Sequence, residues 1–515
     1  MNGAESLVRT LLAGGVDVCF ANPGTSEMHF VAALDRVEGM RSILGLFEGV
    51  VTGAADGYGR MAGKPAATLL HLGPGLANGL ANLHNAKKAA SPVVNIVGEH
   101  ASWHIKYDAP LTSDIEGVAR PMSHWVKTTQ RAEDTGADAA AAITAARTAP
   151  GQIATLILPG DSAWNEGGVV AKTAEPAPRA KVDDQAVKQA AAALRSGAPT
   201  LLLLTGQALD AHGLDLAGRI AAATSCKLLS QYANARLARG AGRVPILRLP
   251  FPVDQAVQTL APFKHIVLIG AKAPVGFFAY PNKPSELWPR DCQLHTLATL
   301  AEDAIDALER LAEEIGAKKG TAQVQQAKRP DMPGGAIKAE SLAATIGALL
   351  PEGAIVADES VTTGRGFYPL TAGAPPHDWL NNLGGSIGYG LPVAIGAAVA
   401  CPDRKVICMS GDGSAMYTIQ GLWTMAREKL NVLTVIWANR SYAILRGELA
   451  NVGAGTNPGR KALDMLSLDR PDLDFVAMAK GMGVDGGRAT TMEEFNRLFA
   501  AGLKMNGPYL IEVVI

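Results

Sequence analysis

The sequence predicts an α/β protein built as three doubly wound parallel-sheet domains. Short runs rich in Val, Ile and Leu alternate with Ala- and Gly-rich helical stretches, which is the pattern of parallel sheets. At 515 residues the chain is too long for one core. Two polar, Pro-broken stretches, 171–179 and about 317–335, read as linkers. They leave segments 1–170, 183–318 and 336–515.

In the first segment strands are expected at 16–20, 43–47, 67–71, 93–97 and 153–158, with a helix at 49–62. The second offers strands at 200–204, 227–229, 265–269 and 293–297. The third opens with a helix near 336–350 and continues with strands at 354–357, 406–409 and 433–437.

Apolar residues make up 48% and charged residues 18%, with a formal net charge of -1. Such a balance gives no basic surface for nucleic acid and no acidic tail. No apolar stretch approaches the ~20 residues that cross a bilayer. The start lacks a basic region followed by a long apolar one, so no signal peptide is expected. The five cysteines are scattered without a Cys-x-x-Cys pair, as buried thiols in a reducing compartment would be. A soluble cytoplasmic protein is expected.

The chemistry-bearing residues begin with Gly411-Asp412-Gly413, directly after the apolar run 406–409. Asn439 closes the run 433–437. The interval between Asp412 and Asn439 fits a strand, a turn, a helix and the next parallel strand. Both residues then fall at the carboxyl ends of neighbouring strands, where open α/β sheets bind ligands. A carboxylate and an amide oxygen there suit Mg²⁺. The backbone amides of Gly413 and Ser414 can hold an anion such as a diphosphate. Gly-Asp-Gly alone is a common turn; the partner at this spacing favours a ligand site.

This pairing resembles the cofactor motif of thiamine-diphosphate-dependent enzymes, and the resemblance covers nearly the whole chain. It implies thiamine diphosphate and Mg²⁺, with Asp412, Asn439 and the backbone carbonyl of Ser441 as metal ligands. The family usually has Asn-Asn at this strand end; here Ala438 replaces the first, and the ligand position is kept. The run from Phe47 to Arg60 looks like the segment bearing the activating glutamate, which is Glu48 here. Its carboxyl, bonded to the aminopyrimidine ring, would favour the tautomer whose nitrogen takes the thiazolium proton. Around the cofactor the resemblance also places Asn22, Pro23, Gly411 and Tyr442. Thr362 and Thr363, after the strand 354–357, offer hydroxyls and amides for diphosphate oxygens. In Leu383-Gly384-Gly385-Ser386-Ile387-Gly388, Ile387 occupies the place of the aliphatic wedge that bends the cofactor. Gly385 would present a carbonyl to the pyrimidine amino group.

Leu70-His71-Leu72-Gly73-Pro74-Gly75 and Asn22-Pro23-Gly24-Thr25-Ser26-Glu27 are similar to the substrate wall of benzoylformate decarboxylase. The match implies that Thr25 contacts the substrate carboxylate and that His71 relays protons. That enzyme's second active-site histidine is replaced here by Ala279 or Phe278. Leu111, Phe278, Ile444, Leu445 and Glu448 are expected to shape the substrate pocket.

Overall similarity is to the acetolactate synthase large subunit and its look-alikes, alongside benzoylformate decarboxylase. The Phe-Gln-Glu run of acetolactate synthase is absent from 108–114. The basic and acidic pair that accompanies FAD is absent from 270–280, so FAD is not expected. The resemblance implies decarboxylation or carboligation of a small 2-keto acid. It also implies a homo-oligomer, at least a dimer and commonly a tetramer, with sites between the first domain of one chain and the third of another. The alternatives are an acetolactate synthase using pyruvate and a non-catalytic regulatory homologue. Retention of Glu48, Asp412 and Asn439 speaks against the latter. No Gly-x-Gly-x-x-Gly strand end supports a nicotinamide enzyme.

Overall fold

The computed structural model describes residues 1–515. Three mostly parallel sheets form, with helices on their faces. In chain order the strands are β1 Val18–Asn22, β2 Arg41–Leu44, β3 Ala66–Leu70, β4 Val93–Glu99, β5 Trp125–Thr128 and β6 Ile153–Pro159. Then follow β7 Thr200–Leu204, β8 Lys227–Ser230, β9 Leu237–Arg239, β10 Leu247–Arg248, β11 His265–Ile269 and β12 Gln293–Ala298. The last are β13 Ile355–Glu359, β14 His377–Asn381, β15 Val406–Gly411, β16 Val432–Ala438, β17 Asp485–Ala489 and β18 Tyr509–Val514. The first sheet has the order β2-β1-β3-β4-β6-β5, the second β10-β8-β7-β11-β12, and the third β17-β18-β16-β15-β13-β14-β9. The central strands β4 and β6 are buried along their whole length. Covered on both faces, they are mostly apolar, and the polar side chains within them pair, Asn95 Nδ2 donating to Thr155 Oγ1 at 3.0 Å.

Two positions in this topology matter for function. In the first sheet the strand order reverses between the parallel neighbours β1 and β3, and in the third between β13 and β15. Crevices outside the carboxyl ends of strands at such reversals are where open α/β sheets bind ligands.

The first and third sheets are joined through one shared core of 45 buried residues. At its centre the helix Glu48–Ala62 crosses the helix Gly390–Ala400. Glycine makes this crossing possible. A Cβ at Gly57 would lie 2.2 Å from the Val393 carbonyl oxygen, and one at Gly396 would lie 1.9 Å from that of Ala54. Polar ties reinforce the contact. Asn85 Nδ2 donates to the Ser386 carbonyl at 2.8 Å, and Arg60 Nη1 donates to that of Asn381 at 2.7 Å.

Most expected elements are present, with displaced ends. The strand expected at 16–20 is Val18–Asn22. Gly15 turns at φ +76° and the Val16 N–H donates to Leu11 O, so Val16 completes a helix end instead. The strand expected at 43–47 is Arg41–Leu44, and beyond its end Asn22 Nδ2 donates to the Gly45 carbonyl at 2.9 Å. β5, β9, β10, β14, β17 and β18 are additional. All but β18 are short or interrupted by polar residues or glycine; β17 is Asp-Gly-Gly-Arg-Ala. β18 carries Glu512 in its interior, buried and joined to Arg488 Nη2 at 3.1 Å. β9, from the stretch between the linkers, adds to the third sheet antiparallel to β14. Cys19, Cys226, Cys292 and Cys408 are buried thiols. No helix is long and apolar enough to cross a membrane.

Candidate functional site

At the carboxyl edge of the third sheet, β15 and β16 pair in parallel with Gly411 opposite Trp437. Asp412 and Asn439 follow directly and stand side by side. Asp412 Oδ1 accepts the Gly413 N–H at 2.8 Å, and its Oδ2 accepts that of Arg440 at 2.5 Å. Asn439 Oδ1 accepts the Ser441 N–H at 3.0 Å. Burial pushes the Asp412 carboxyl above its ordinary range, against the pull of these backbone donors. No side-chain cation reaches it. One buried carboxylate among neutral oxygens, with no cluster of three His, Cys, Asp or Glu, is too little for an all-protein metal cage. It fits Mg²⁺ shared with the phosphates of a ligand, the usual coordination of that ion.

These residues line a cavity of about 640 Å³. Thr362, Gly385, Ile387, Gly411, Gly413, Ser414 and Tyr442 line it as well, so the expected cofactor residues of the third segment converge. The exception is Thr363, which is buried beneath the wall with its N–H on the Ser360 carbonyl. Four of the expected substrate-pocket residues, Phe278, Ile444, Leu445 and Glu448, line the same space. Ile444, Leu445 and Glu448 sit on the helix Ala443–Asn451. Glu448 Oε1 accepts from Asn451 Nδ2 at 3.1 Å. Burial, and then the Glu448 carboxyl beside it, pushes the Tyr280 hydroxyl up to about 12.

The turn carrying Gly385 and Ile387 is held from below by Glu359, a residue the sequence did not single out for a role. This buried carboxyl accepts the N–H groups of Gly388, Tyr389 and Gly390 at 2.9, 3.0 and 3.0 Å, and the Ser410 hydroxyl at 3.1 Å. Burial nevertheless pushes it up to about 7. Its only sequence signal is a charge closing an apolar strand. Above the turn stands Phe277, whose ring tip would lie 2.7 Å from a Cβ at Gly385. Phe277 continues a ladder of rings through Phe251 and Tyr232, with centroids 5.6 and 5.0 Å apart.

Glu48, His71, Thr25, Asn22, Pro23 and Leu111 do not line this cavity. The first five gather at the reversal point of the first sheet, where β1 and β3 end side by side. His71 Nδ1 meets the buried Glu27 Oε2 at 2.8 Å, and that oxygen also accepts the Gly24 N–H at 2.7 Å. Burial raises the Glu27 carboxyl above its ordinary range, opposed by Gly24 and His71. Glu48 opens the helix Glu48–Ala62, and its Oε2 accepts from Asn78 Nδ2 at 3.0 Å. Gly75 separates the two groups. A Cβ there would lie 3.3 Å from His71 Cβ and 3.4 Å from Glu48 Oε1. Thr25 is exposed at the start of the short turn Thr25–Glu27, and Leu111 is exposed on a loop. Glu27 was not foreseen as a partner of His71, although an acid three residues after the turn glycine is a capping-box signal.

Comparison with known proteins agrees with this geometry. The thiamine pyrophosphate enzyme N-terminal TPP binding domain matches residues 1–125, and the C-terminal TPP binding domain matches 366–513. A Mycobacterium tuberculosis (H37Rv) protein, provisionally named acetolactate synthase large subunit IlvX, is 55% identical over 100% of this chain and 99% of its own. Benzoylformate decarboxylase of Pseudomonas aeruginosa is 30% identical, covering 97% of this chain and 96% of its own. Among solved structures, the thiamine diphosphate-dependent 4-hydroxybenzoylformate decarboxylase of Rhodococcus jostii superposes with a TM-score of 0.86. It is 26% identical and covers 99% of this chain and 98% of its own. With cofactor-domain matches at both ends and full-length relatives, the chain belongs to the thiamine pyrophosphate enzymes and is related both to a protein named as an acetolactate synthase and to a benzoylformate decarboxylase.

Proposed function

We propose that the protein is a Mg²⁺- and thiamine-diphosphate-dependent decarboxylase or carboligase acting on a 2-keto acid, close in type to benzoylformate decarboxylase. The observation that carries this reading is the convergence of Asp412, Asn439, Ser414 and Ile387 on one cavity with an aromatic wall. Asp412, Asn439 and the Ser441 carbonyl would hold the ion, and the amides of Gly413 and Ser414 the diphosphate. The bound cofactor supplies a nucleophilic carbon that retains the electron pair released with CO₂. Glu48 would anchor the aminopyrimidine and hold its proton. Thr25 would donate to the substrate carboxylate, and His71, steadied by Glu27, would move protons at the reacting carbon. Phe277, Phe278, Ile444 and Leu445 would exclude water from it.

Because Glu48 and His71 do not line the cavity of Asp412, a complete site needs the first-sheet rim of a second copy. A homodimer or a dimer of dimers in the cytoplasm is the corresponding assembly. We assign 1–170 to pyrimidine binding, 183–318 to the central unit and 336–515 to diphosphate and metal binding, with no FAD in the central unit.

The 55% identity to an acetolactate synthase-named protein favours a second reading, condensation of two pyruvates. A panel of 2-keto acids, read for CO₂, aldehyde and acetolactate, separates the two. Aldehyde from an aryl 2-keto acid supports the first reading, and acetolactate from pyruvate alone replaces it with the second.

A further inference from the structure

The cavity extends beyond the metal site. From the Gly385 turn its wall runs along the rings of Phe277, Phe251 and Tyr232. Arg248, on β10, is in register with Ser230, two residues before Tyr232, so the row of rings leads to an arginine. A second arginine, Arg365, reaches the same cavity from the loop after β13. That loop opens beside the one carrying Asp412, because β13 and β15 pair in parallel with Glu359 opposite Ser410. Tyr368 joins the two arginines into one wall. It follows Arg365 by three residues, and its hydroxyl donates to the Ile246 carbonyl at 2.9 Å. The Arg248 guanidinium carbon stands over its ring, 4.4 Å from the centroid.

Both arginines are without partners in the protein. Arg60 ends on Asp56 and Arg404 on Asp378, whereas Arg248 and Arg365 have no carboxylate within ion-pair reach and donate no side-chain hydrogen bond. Asp358, on the same wall, is engaged by the Ser360 N–H and the Trp379 indole N–H, each at 3.0 Å. A third guanidinium, that of the buried Arg239, lies 3.6 Å from the Tyr368 centroid and is taken up by the Thr371 hydroxyl and the Tyr368 carbonyl. Burial, opposed by the Tyr368 hydroxyl and reinforced by the Arg248 charge, pushes Arg239 down to about 10. Positive charge at this end thus exceeds what the fold neutralises. A guanidinium held over a ring keeps its in-plane N–H groups free, and that fork matches a carboxylate or phosphate through two parallel bonds.

We propose that Arg248 and Arg365 form an anion subsite for the substrate, and that the 2-keto acid bound here carries a second negative group, a carboxylate or a phosphate, at its far end. This rests on the reading above for the 2-keto acid itself. In that reading the diphosphate already has the ion and the amides of Gly413 and Ser414, so these two cations are left for another anion. The rings between Gly385 and Arg248 suit a flat body, and about 640 Å³ is the size of a complete small-molecule site. A ligand with an apolar far end would desolvate both arginines and pair neither, which makes them a selector for acids.

The test compares full-length holoenzyme with Arg248→Gln and Arg365→Gln, using benzoylformate and its para-carboxy and para-phosphono derivatives as substrates. In the parent, kcat/KM for a charged derivative should exceed that for benzoylformate by about tenfold, the worth of one charged hydrogen-bonded pair, with the gain mostly in KM. Each variant should bring that ratio close to one, while calorimetric affinity for thiamine diphosphate stays within about twofold of the parent. Arg365 has no bond to lose, so its variant should also keep the parent Tm, and it decides the matter if Arg248→Gln unfolds. A preference absent from the parent, or surviving in Arg365→Gln, overturns the proposal. So does a fall in cofactor affinity with the ratio intact, which would give the arginines to the diphosphate.

A second measurement needs no turnover: calorimetry of terephthalate and para-phosphonobenzoate against benzoate on the holoenzyme. One of the doubly charged ligands should bind about tenfold more tightly than benzoate, and the gain should vanish in Arg365→Gln and shrink as salt rises. If no 2-keto acid is turned over but this gain still depends on the arginines, the functional reading falls and the anion subsite stands. If benzoylformate is turned over and no charged ligand gains from the arginines, the subsite falls and the functional reading stands.

Discussion

The carboxyl of Glu359 accepts the backbone N–H of Gly388 at 2.9 Å and thereby fastens the end of β13 to the turn that carries Ile387. Two more N–H groups and the Ser410 hydroxyl meet the same side chain, so a single buried group shapes the floor of the cavity.

This makes Glu359 a source of pH-dependent stability. Its folded value is raised from 4.5 to about 7. A carboxyl raised on folding contributes stability that is full below its unfolded value and is lost as pH rises through the folded one. Urea unfolding of the parent between pH 5 and 8 should show this loss, and Glu359→Gln, which cannot ionise, should lack it. The glutamine also turns an N–H toward the Gly390 donor, which should lower stability by about 1–3 kcal/mol. An identical pH slope in parent and variant would refute the assignment.

Glu48→Gln should leave the fold and the diphosphate anchor intact and lower turnover by ~10²–10⁴, the usual cost of one acid–base group. Steady-state kinetics and titration calorimetry with thiamine diphosphate check the two halves. Near-normal turnover would reduce Glu48 to a helix-start residue.

Removal of the one carboxylate at the proposed metal site should be severe. Asp412→Ala leaves only neutral oxygens, so Mg²⁺-dependent binding of thiamine diphosphate should disappear in calorimetry with and without the ion. The variant should still fold, since it loses a buried carboxyl with no ionic partner. Unchanged cofactor affinity would make Gly411-Asp412-Gly413 a structural turn.

His71→Ala should lower kcat with cofactor affinity within a few-fold of the parent, because only interactions made in the transition state are lost. Glu27→Gln should reproduce part of this effect, as the imidazole loses its charged anchor. A His71→Ala protein that unfolds would instead make the pair structural.

The purified protein should be colourless and active without added FAD, since the 270–280 stretch lacks the basic and acidic pair that accompanies flavin in acetolactate synthases. A flavin absorbance band would revive the pyruvate-condensing reading.

Much of the third-sheet site was legible because neighbouring parallel strands have nearly fixed geometry. Two strand ends 27 residues apart could only bring Asp412 and Asn439 together. The fold class followed from the alternation of apolar runs with helices. What escaped depends on contacts between distant residues. The partners of Glu359 lie 29 to 31 residues away at the nearest, in a loop whose path no local pattern foretells. The cavity wall from Tyr232, Phe251 and Phe277 comes from the central segment, so no window of sequence contains both walls. β17 was missed because Asp-Gly-Gly-Arg-Ala has no strand-like composition and is set by its pairing with β18. Glu48 and His71 were singled out by resemblance alone, since a lone acid or histidine at a strand end has many ordinary uses.

The antiparallel strand β9 has a practical bearing on protein engineering. Leu237–Arg239 caps the outer side of β14, with the Arg239 guanidinium 3.6 Å over the Tyr368 ring. A fragment cut at the second linker would expose β14 as an open edge, ready to recruit foreign chains. The central stretch is therefore not an exchangeable cassette. Chimeras that swap it between relatives should retain residues 237–239 with the third sheet, and those that do not should aggregate.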